Sequence, residues 1–122
     1  MNKEMKIMVV DDDPISVEFA TCSLEELGFK NLYQAKDGSD AMAQLQWAKV
    51  DLIISDWNMP YIDGLKLYAT IRRSPLLKNI KFLLMTSSSE KEKVITALKS
   101  GIKHFIVKPF DLKTLDDKLK SM

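Results

Sequence analysis

Four short segments of this 122-residue chain carry side chains able to do chemistry: Asp11-Asp12-Asp13, Asp56-Trp57-Asn58, Thr86-Ser87-Ser88 and Lys108-Pro109. Carboxylates offer hard oxygen ligands to a divalent cation and, when held in line, a nucleophilic oxygen. A hydroxyl and an ammonium group offer donors to an oxyanion. Each segment also has an ordinary reading. Aspartates before Pro14 read as helix capping, and Asp13 is assigned to that task, because a proline at the first helical position loses no hydrogen bond. Asp56 alone would be a turn residue, Lys108 a solvated charge, and Thr86 the start signal of a helix. Only a fold that gathers them makes them a site.

Apolar runs and turn signals predict such a fold. Strands are expected at 6–10, 32–35, 51–55, 81–85 and 104–107, and helices at 14–27, 39–48, 65–73, 90–99 and 112–120. In the first helix Ile15, Phe19, Cys22 or Ala20, Leu24 and Leu27 recur at roughly helical steps and are expected to face the core, with Cys22 a core filler. Met42, Leu45, Leu67 and Tyr68 read as helix packing. Strict alternation of strand and helix implies an α/β protein, a five-stranded parallel sheet doubly wound by helices on both faces. The unbroken apolar runs at 7–10 and 52–54 agree, since central parallel strands are buried on both sides. Such sheets bind ligands beyond the carboxyl ends of their strands, where strand order reverses. The four segments follow four of the predicted strands and therefore converge on one rim.

Composition limits the partners and the setting. The chain is 46% hydrophobic and 29% charged, ordinary values for one globular domain spanning residues 1–122. One cysteine excludes an internal disulfide or a cysteine zinc cage and fits a reducing, cytoplasmic setting. No apolar run approaches the ~18–20 residues of a membrane span, so no membrane insertion is expected. The lone His104 cannot form a histidine metal cluster and reads as structural or exposed. Net charge is +1, yet residues 1–65 hold 5 lysines against 12 acids while residues 66–122 hold 13 basic residues against 5 acids. An acidic site and a basic partner surface would explain that division.

Val9-Val10-Asp11-Asp12, Ser55-Asp56-Trp57-Asn58-Met59-Pro60 with Asp63-Gly64, Thr86, and Lys108-Pro109-Phe110 stand in order along the chain. In these residues and their spacing it resembles the receiver domain of two-component response regulators, from residue 6 to about residue 119. Residues 54–65, with Trp57 and Asn58 beside the aspartate, are most similar to the stand-alone chemotaxis members. The resemblance implies a flavodoxin-like (βα)5 fold with strand order 2-1-3-4-5. It implies that Asp56 accepts a phosphoryl group from a histidine kinase, the protein catalysing its own phosphorylation and autodephosphorylation. It further implies Mg²⁺ as cofactor, bound by Asp12, Asp56 and the backbone carbonyl of Asn58, with Asp11 acting through water. Lys108 and Thr86 then engage phosphoryl oxygens. The chemistry is coherent: carboxylates about 5 Å apart repel by roughly 3 kcal/mol per pair at an effective dielectric near 20, which a divalent cation relieves.

The resemblance also implies a switch. Phosphorylation draws Thr86 inward and Phe105 follows, remodelling the face of the fourth helix, fifth strand and fifth helix. Phe105 replaces a tyrosine of the chemotaxis members, so the switch lacks a hydroxyl. Ser88 stands in place of an acid, which bears on the phosphoryl lifetime. Lys91, Lys93, Lys99, Lys103, Lys118 and Lys120 would make that face basic around Val94 and Phe105. It suits an acidic or amphipathic protein partner, such as a flagellar-motor or other signalling protein, with the chain a monomer and no nucleic acid involved. Three alternatives stand beside this reading. One is a receiver excised from a larger regulator or hybrid kinase. Another is a Mg²⁺-dependent aspartyl-phosphate phosphatase, against which Asn58 occupies the place of its second acid. The third, a flavin module, lacks a phosphate loop after the first strand and faces a repelling acidic rim.

Overall fold

Ile7, Met8, Val9 and Val10 are all fully buried, which requires cover on both faces of the strand they form. The computed structural model, which describes residues 2–87 and 91–122 with the side chain of Lys91 excepted, supplies that cover. Strands β1 (Lys6–Val10), β2 (Asn31–Ala35), β3 (Leu52–Asp56), β4 (Lys81–Thr86) and β5 (Phe105–Val107) form one parallel sheet in the order β2-β1-β3-β4-β5. Helices α1 (Pro14–Glu26), α2 (Gly38–Gln44), α3 (Gly64–Arg73), α4 (Lys91–Lys99) and α5 (Leu112–Lys120) connect the strands and follow the last. Alternate strand residues feed separate cores. Ile7, Val9, Leu52, Ile54, Leu83 and Met85 pack with Leu24 of α1 and Leu115 and Leu119 of α5. Met8, Val10, Ile53, Phe82 and Leu84 pack with Ala41 of α2, Leu67 and Ile71 of α3 and Ala97 of α4.

Most helix starts use an aspartate. Asp13, Asp37, Asp63 and Asp111 cap α1, α2, α3 and α5, each side chain accepting a backbone N–H of the first turn at 2.7–3.0 Å. Asp11, Asp12 and Asp56 gather instead at the carboxyl rim, where Asp11 Oδ1 also accepts the Asp13 N–H at 3.0 Å. Helix α1 ends with Gly28 at φ 102°, where its N–H meets the Glu25 carbonyl and Phe29 N–H reaches back to Leu24.

Three expectations are corrected. Helix α1 buries Val17, Ala20 and Leu24, while Ile15 is 80% exposed, Phe19 48% exposed and Cys22 an exposed thiol, not a core filler. Two apolar stripes offset by two residues run along this helix, and the small Ala20 allows the closer approach to the sheet. Helix α2 stops at Gln44, not residue 48, because Gln46 and Trp47 donate to Ala43 and Gln44 in tighter turns. Strands β3 and β4 each run one residue further than expected, to Asp56 and Thr86.

Candidate functional site

Strand order reverses between β1 and β3, since β1 connects outward to β2 while β3 starts the other half of the sheet. Asp11 directly follows β1, its N–H held by the Ala35 carbonyl of β2 at 3.1 Å. Asp56 is the last residue of β3, and the next N–H, that of Trp57, is held by the Met85 carbonyl of β4 at 3.0 Å. The carboxylates of Asp11, Asp12 and Asp56 come together with ligand oxygens within 4.8 Å of one another. Asp11 and Asp56 are buried and Asp12 is exposed. All the side-chain donors are hard carboxylate oxygens, a set suited to a divalent cation that keeps part of its water shell.

Lys108 closes the cluster. Its ammonium group donates to Asp11 Oδ2 at 2.9 Å and lies 3.3 Å from Asp56 Oδ1. Its backbone N–H donates to the Thr86 carbonyl at 2.7 Å, which hangs the β5 end on the β4 end. Burial, then the charge of Asp11, pushes the Asp56 carboxyl above its ordinary value, against the pull of Lys108. Burial alone would lower the lysine. The hydrogen bond to Asp11 and the charge of Asp56 outweigh it, and Lys108 is held above its ordinary value. Thr86 is buried at the end of β4, in register with Val107 of β5.

The loop after β3 is shaped by close approach. A Cβ on Gly64 would lie 2.5 Å from the Asp56 carbonyl oxygen, so this position requires glycine although its φ is not positive. Gly64 N–H donates to the Trp57 carbonyl at 2.8 Å, folding the loop back on the strand. Between them Tyr61 adopts φ 66° in a three-residue turn closed by Ile62 N–H to the Pro60 carbonyl at 2.8 Å. Asn58 is exposed in this loop, two residues beyond Asp56.

A carboxylate triad with a lysine bridging two of its members, at the switch point of a parallel sheet, is the arrangement that the motif order anticipates. Residues 7–120 match the response regulator receiver domain family. The chain belongs to that family. The receiver domain is 38% identical to the chemotaxis protein CheY-3 of Vibrio cholerae over 119 residues, 98% of this chain and 92% of that one. It is 32% identical to the chemotaxis protein CheY of Pseudomonas aeruginosa, covering 97% and 95% of the two chains. Among solved structures, Vibrio cholerae CheY4 superposes with a TM-score of 0.87 at 30% identity, covering 97% of this chain and 98% of that one. The signal receiver domain of a signal transduction histidine kinase from Syntrophus aciditrophicus superposes at 0.86 with 32% identity, covering 96% and 88%. The (βα)5 flavodoxin-like architecture with order 2-1-3-4-5 is therefore that of the receiver family.

Around the triad the receiver carries features that the motifs do not disclose. Ser16 Oγ lies 3.5 Å from the Lys108 ammonium group, brought there by the first turn of α1. The Lys93 ammonium group sits 5.9 Å from the Trp57 ring centroid. Exposed Phe19 packs edge-on against Phe110 at 5.5 Å, just beyond Lys108-Pro109. No spacing rule links these residues; only the fold does.

On the far flank, Phe105 is half-buried against the α2–α4 core and the Lys118 ammonium group lies 5.6 Å from its ring centroid. Val94 is half-buried, and the exposed apolar residues of α4 are Ile95 and Leu98. Ser88 and the side chain of Lys91 lie outside the described residues. No helix is long and apolar enough to cross a membrane among the described residues.

Proposed function

We propose that this receiver is a phosphorylation-dependent signalling switch in which Asp56 takes a phosphoryl group from the phosphohistidine of a kinase. An Asp56 carboxylate oxygen forms the new P–O bond as the P–N bond to the histidine breaks, and the electron pair leaves on the imidazole nitrogen. The carrying observation is the gathering of Asp11, Asp12 and Asp56 at the sheet rim, with the Lys108 ammonium group on Asp11 and Asp56. Asp12, Asp56 and the Asn58 carbonyl would hold Mg²⁺, with Asp11 acting through water. The ion, when bound, neutralises the carboxylates and the charge on the transferring phosphoryl oxygens.

The chain's own groups do the remainder. Lys108 keeps Asp11 as partner and turns its charge from Asp56 to a phosphoryl oxygen, while Thr86 donates its hydroxyl to another. Because Thr86 Oγ1 and Phe105 sit on adjacent strands, inward movement of the threonine opens space for the phenylalanine ring. The switch then works by packing alone, since Phe105 has no hydroxyl. Exposed Ile15 and Phe19 flank the acidic rim and offer the kinase an apolar landing. The α4-β5-α5 face, with Ile95, Leu98, Phe105 and Lys118, would bind an acidic or amphipathic segment of a downstream signalling protein, in a chemotaxis-like pathway. The catalytic reading is the same for a receiver carried within a larger kinase, which the similarity to the Syntrophus aciditrophicus domain favours as the second setting.

The test is incubation with acetyl phosphate and Mg²⁺ followed by intact mass. One phosphoryl group should be gained, and Asp56→Asn should gain none. Full labelling of that variant would defeat the assignment.

A further inference from the structure

At the opposite end of the sheet from Asp56, a cavity of about 240 Å³ opens between α3, the start of β4 and the turn from α4 into β5. Among the described residues, Arg72, Lys81, Lys103 and His104 line it, and no carboxylate does. Among the described residues none of the four forms an ion pair. The charges of Arg72, Lys81 and Lys103 on one concave wall concentrate positive potential there. The imidazole of His104 registers that field: burial first, then Lys118, Lys103 and Lys81, hold it below its ordinary value.

The wall is built, not loosely assembled. The Arg72 guanidinium donates to the Ile80 carbonyl at 2.7 Å and the Lys78 carbonyl at 2.9 Å, and its centre lies 4.8 Å from the Tyr68 ring centroid. Tyr68 is pinned in turn by its hydroxyl donating to the Gly101 carbonyl at 2.8 Å and by edge contact with Phe82 at 5.3 Å. Gly101 has φ 98°, and a Cβ there would lie 3.2 Å from the tyrosine hydroxyl, so the turn is specified by its glycine. An arginine fixed at several points loses little freedom on meeting an anion, and its planar fork suits phosphate.

We infer that this cavity is a binding site for a small phosphate-bearing anion, held by Arg72, Lys81, Lys103 and His104 beside the Tyr68 ring. The volume falls below the roughly 300–1,000 Å³ of sites that enclose drug-sized ligands, which favours a diphosphate head with little attached. Free pyrophosphate and the terminal phosphates of a nucleotide share this chemistry. Lys81 and Phe82 open β4 while Thr86 ends it, so roughly 13 Å of strand separates the cavity from the acidic rim.

His104 is the only histidine, which makes its ring resonances an unambiguous probe. Without Mg²⁺ and at constant ionic strength, pyrophosphate and ADP are titrated separately against the whole chain by NMR. A saturable shift of the His104 ring with either anion supports the site, and saturation by ADP alone assigns it to a nucleotide. The exposed Lys103→Glu variant should weaken that binding about tenfold or more. Arg72 also ties the chain to two carbonyls, so Lys103→Glu is the decisive variant whether or not Arg72→Gln folds. A linear, unsaturable shift with both anions, or equal binding by Lys103→Glu, overturns the inference.

Discussion

Asp56 sits where a carboxylate is poorly accommodated: it is buried, and Asp11 stands beside it. Its raised pKa means that the unfolded chain ionises more readily than the folded one, so its charge opposes folding at neutral pH. Asp56→Asn should therefore raise the unfolding midpoint in metal-free buffer, by on the order of 1 kcal/mol, while abolishing phosphorylation. An unchanged or lower midpoint by thermal denaturation would mean that the contact with Lys108 outweighs the repulsion. His104 gives a pH dependence whose sign follows from its burial and its lysine neighbours. Its folded pKa is depressed, so below the ordinary histidine range the unfolded state binds the extra proton. Stability should fall as pH drops through that range, and His104→Gln should flatten this part of the profile. Urea midpoints of the two proteins from about pH 8 to about pH 5, a range that brackets an ordinary histidine at about 6.5, check it.

The element that most constrains the site is the loop between β3 and α3. Gly64 lets this loop close over the end of β3, and a methyl group there would meet the Asp56 carbonyl and the Leu84 side chain at 2.5 and 2.7 Å. Gly64→Ala should cost about 2 kcal/mol and displace the Asp56 carboxylate, read as both a lower midpoint and slower labelling by acetyl phosphate. Tyr61 lies in the same loop but carries the opposite burden. It is 92% exposed at φ 66°, a conformation that disfavours side chains. Tyr61→Gly should stabilise the fold by about 1 kcal/mol, and equilibrium unfolding compares the two variants directly. The corrected face of α1 belongs to this scale. Its second apolar stripe leaves Ile15 exposed and sets Phe19, outside the core, against Phe110.

At the scale of the molecule, an acidic cluster and a basic cavity lie at different ends of the sheet. The carboxyl rim gathers Asp11, Asp12 and Asp56 with Lys108, and the cavity at the other end gathers Arg72, Lys81 and Lys103. A cation bound only by the folded rim must stabilise the whole fold by mass action, about 2.7 kcal/mol at a hundredfold excess over Kd. Urea midpoints should therefore rise with Mg²⁺ concentration in the native chain and stay level in Asp12→Ala. The alternation of five strands and five helices is legible in the residue order, since apolar runs, Pro14 and Gly28 act through local backbone preference and burial period. So are the residues that follow the strands, and with them the motif set of the receiver family. Helix α1 shows where that reading stopped: Ile15, Phe19 and Cys22 keep a helical period as faithfully as Val17, Ala20 and Leu24, and only packing against the sheet chose between them. The bridge from Lys108 to Asp11 likewise joins residues 97 positions apart. The basic cavity gathers residues from α3, β4 and the α4–β5 turn. Such groupings depend on distances between elements, which no local pattern encodes, and the tertiary structure alone decided them.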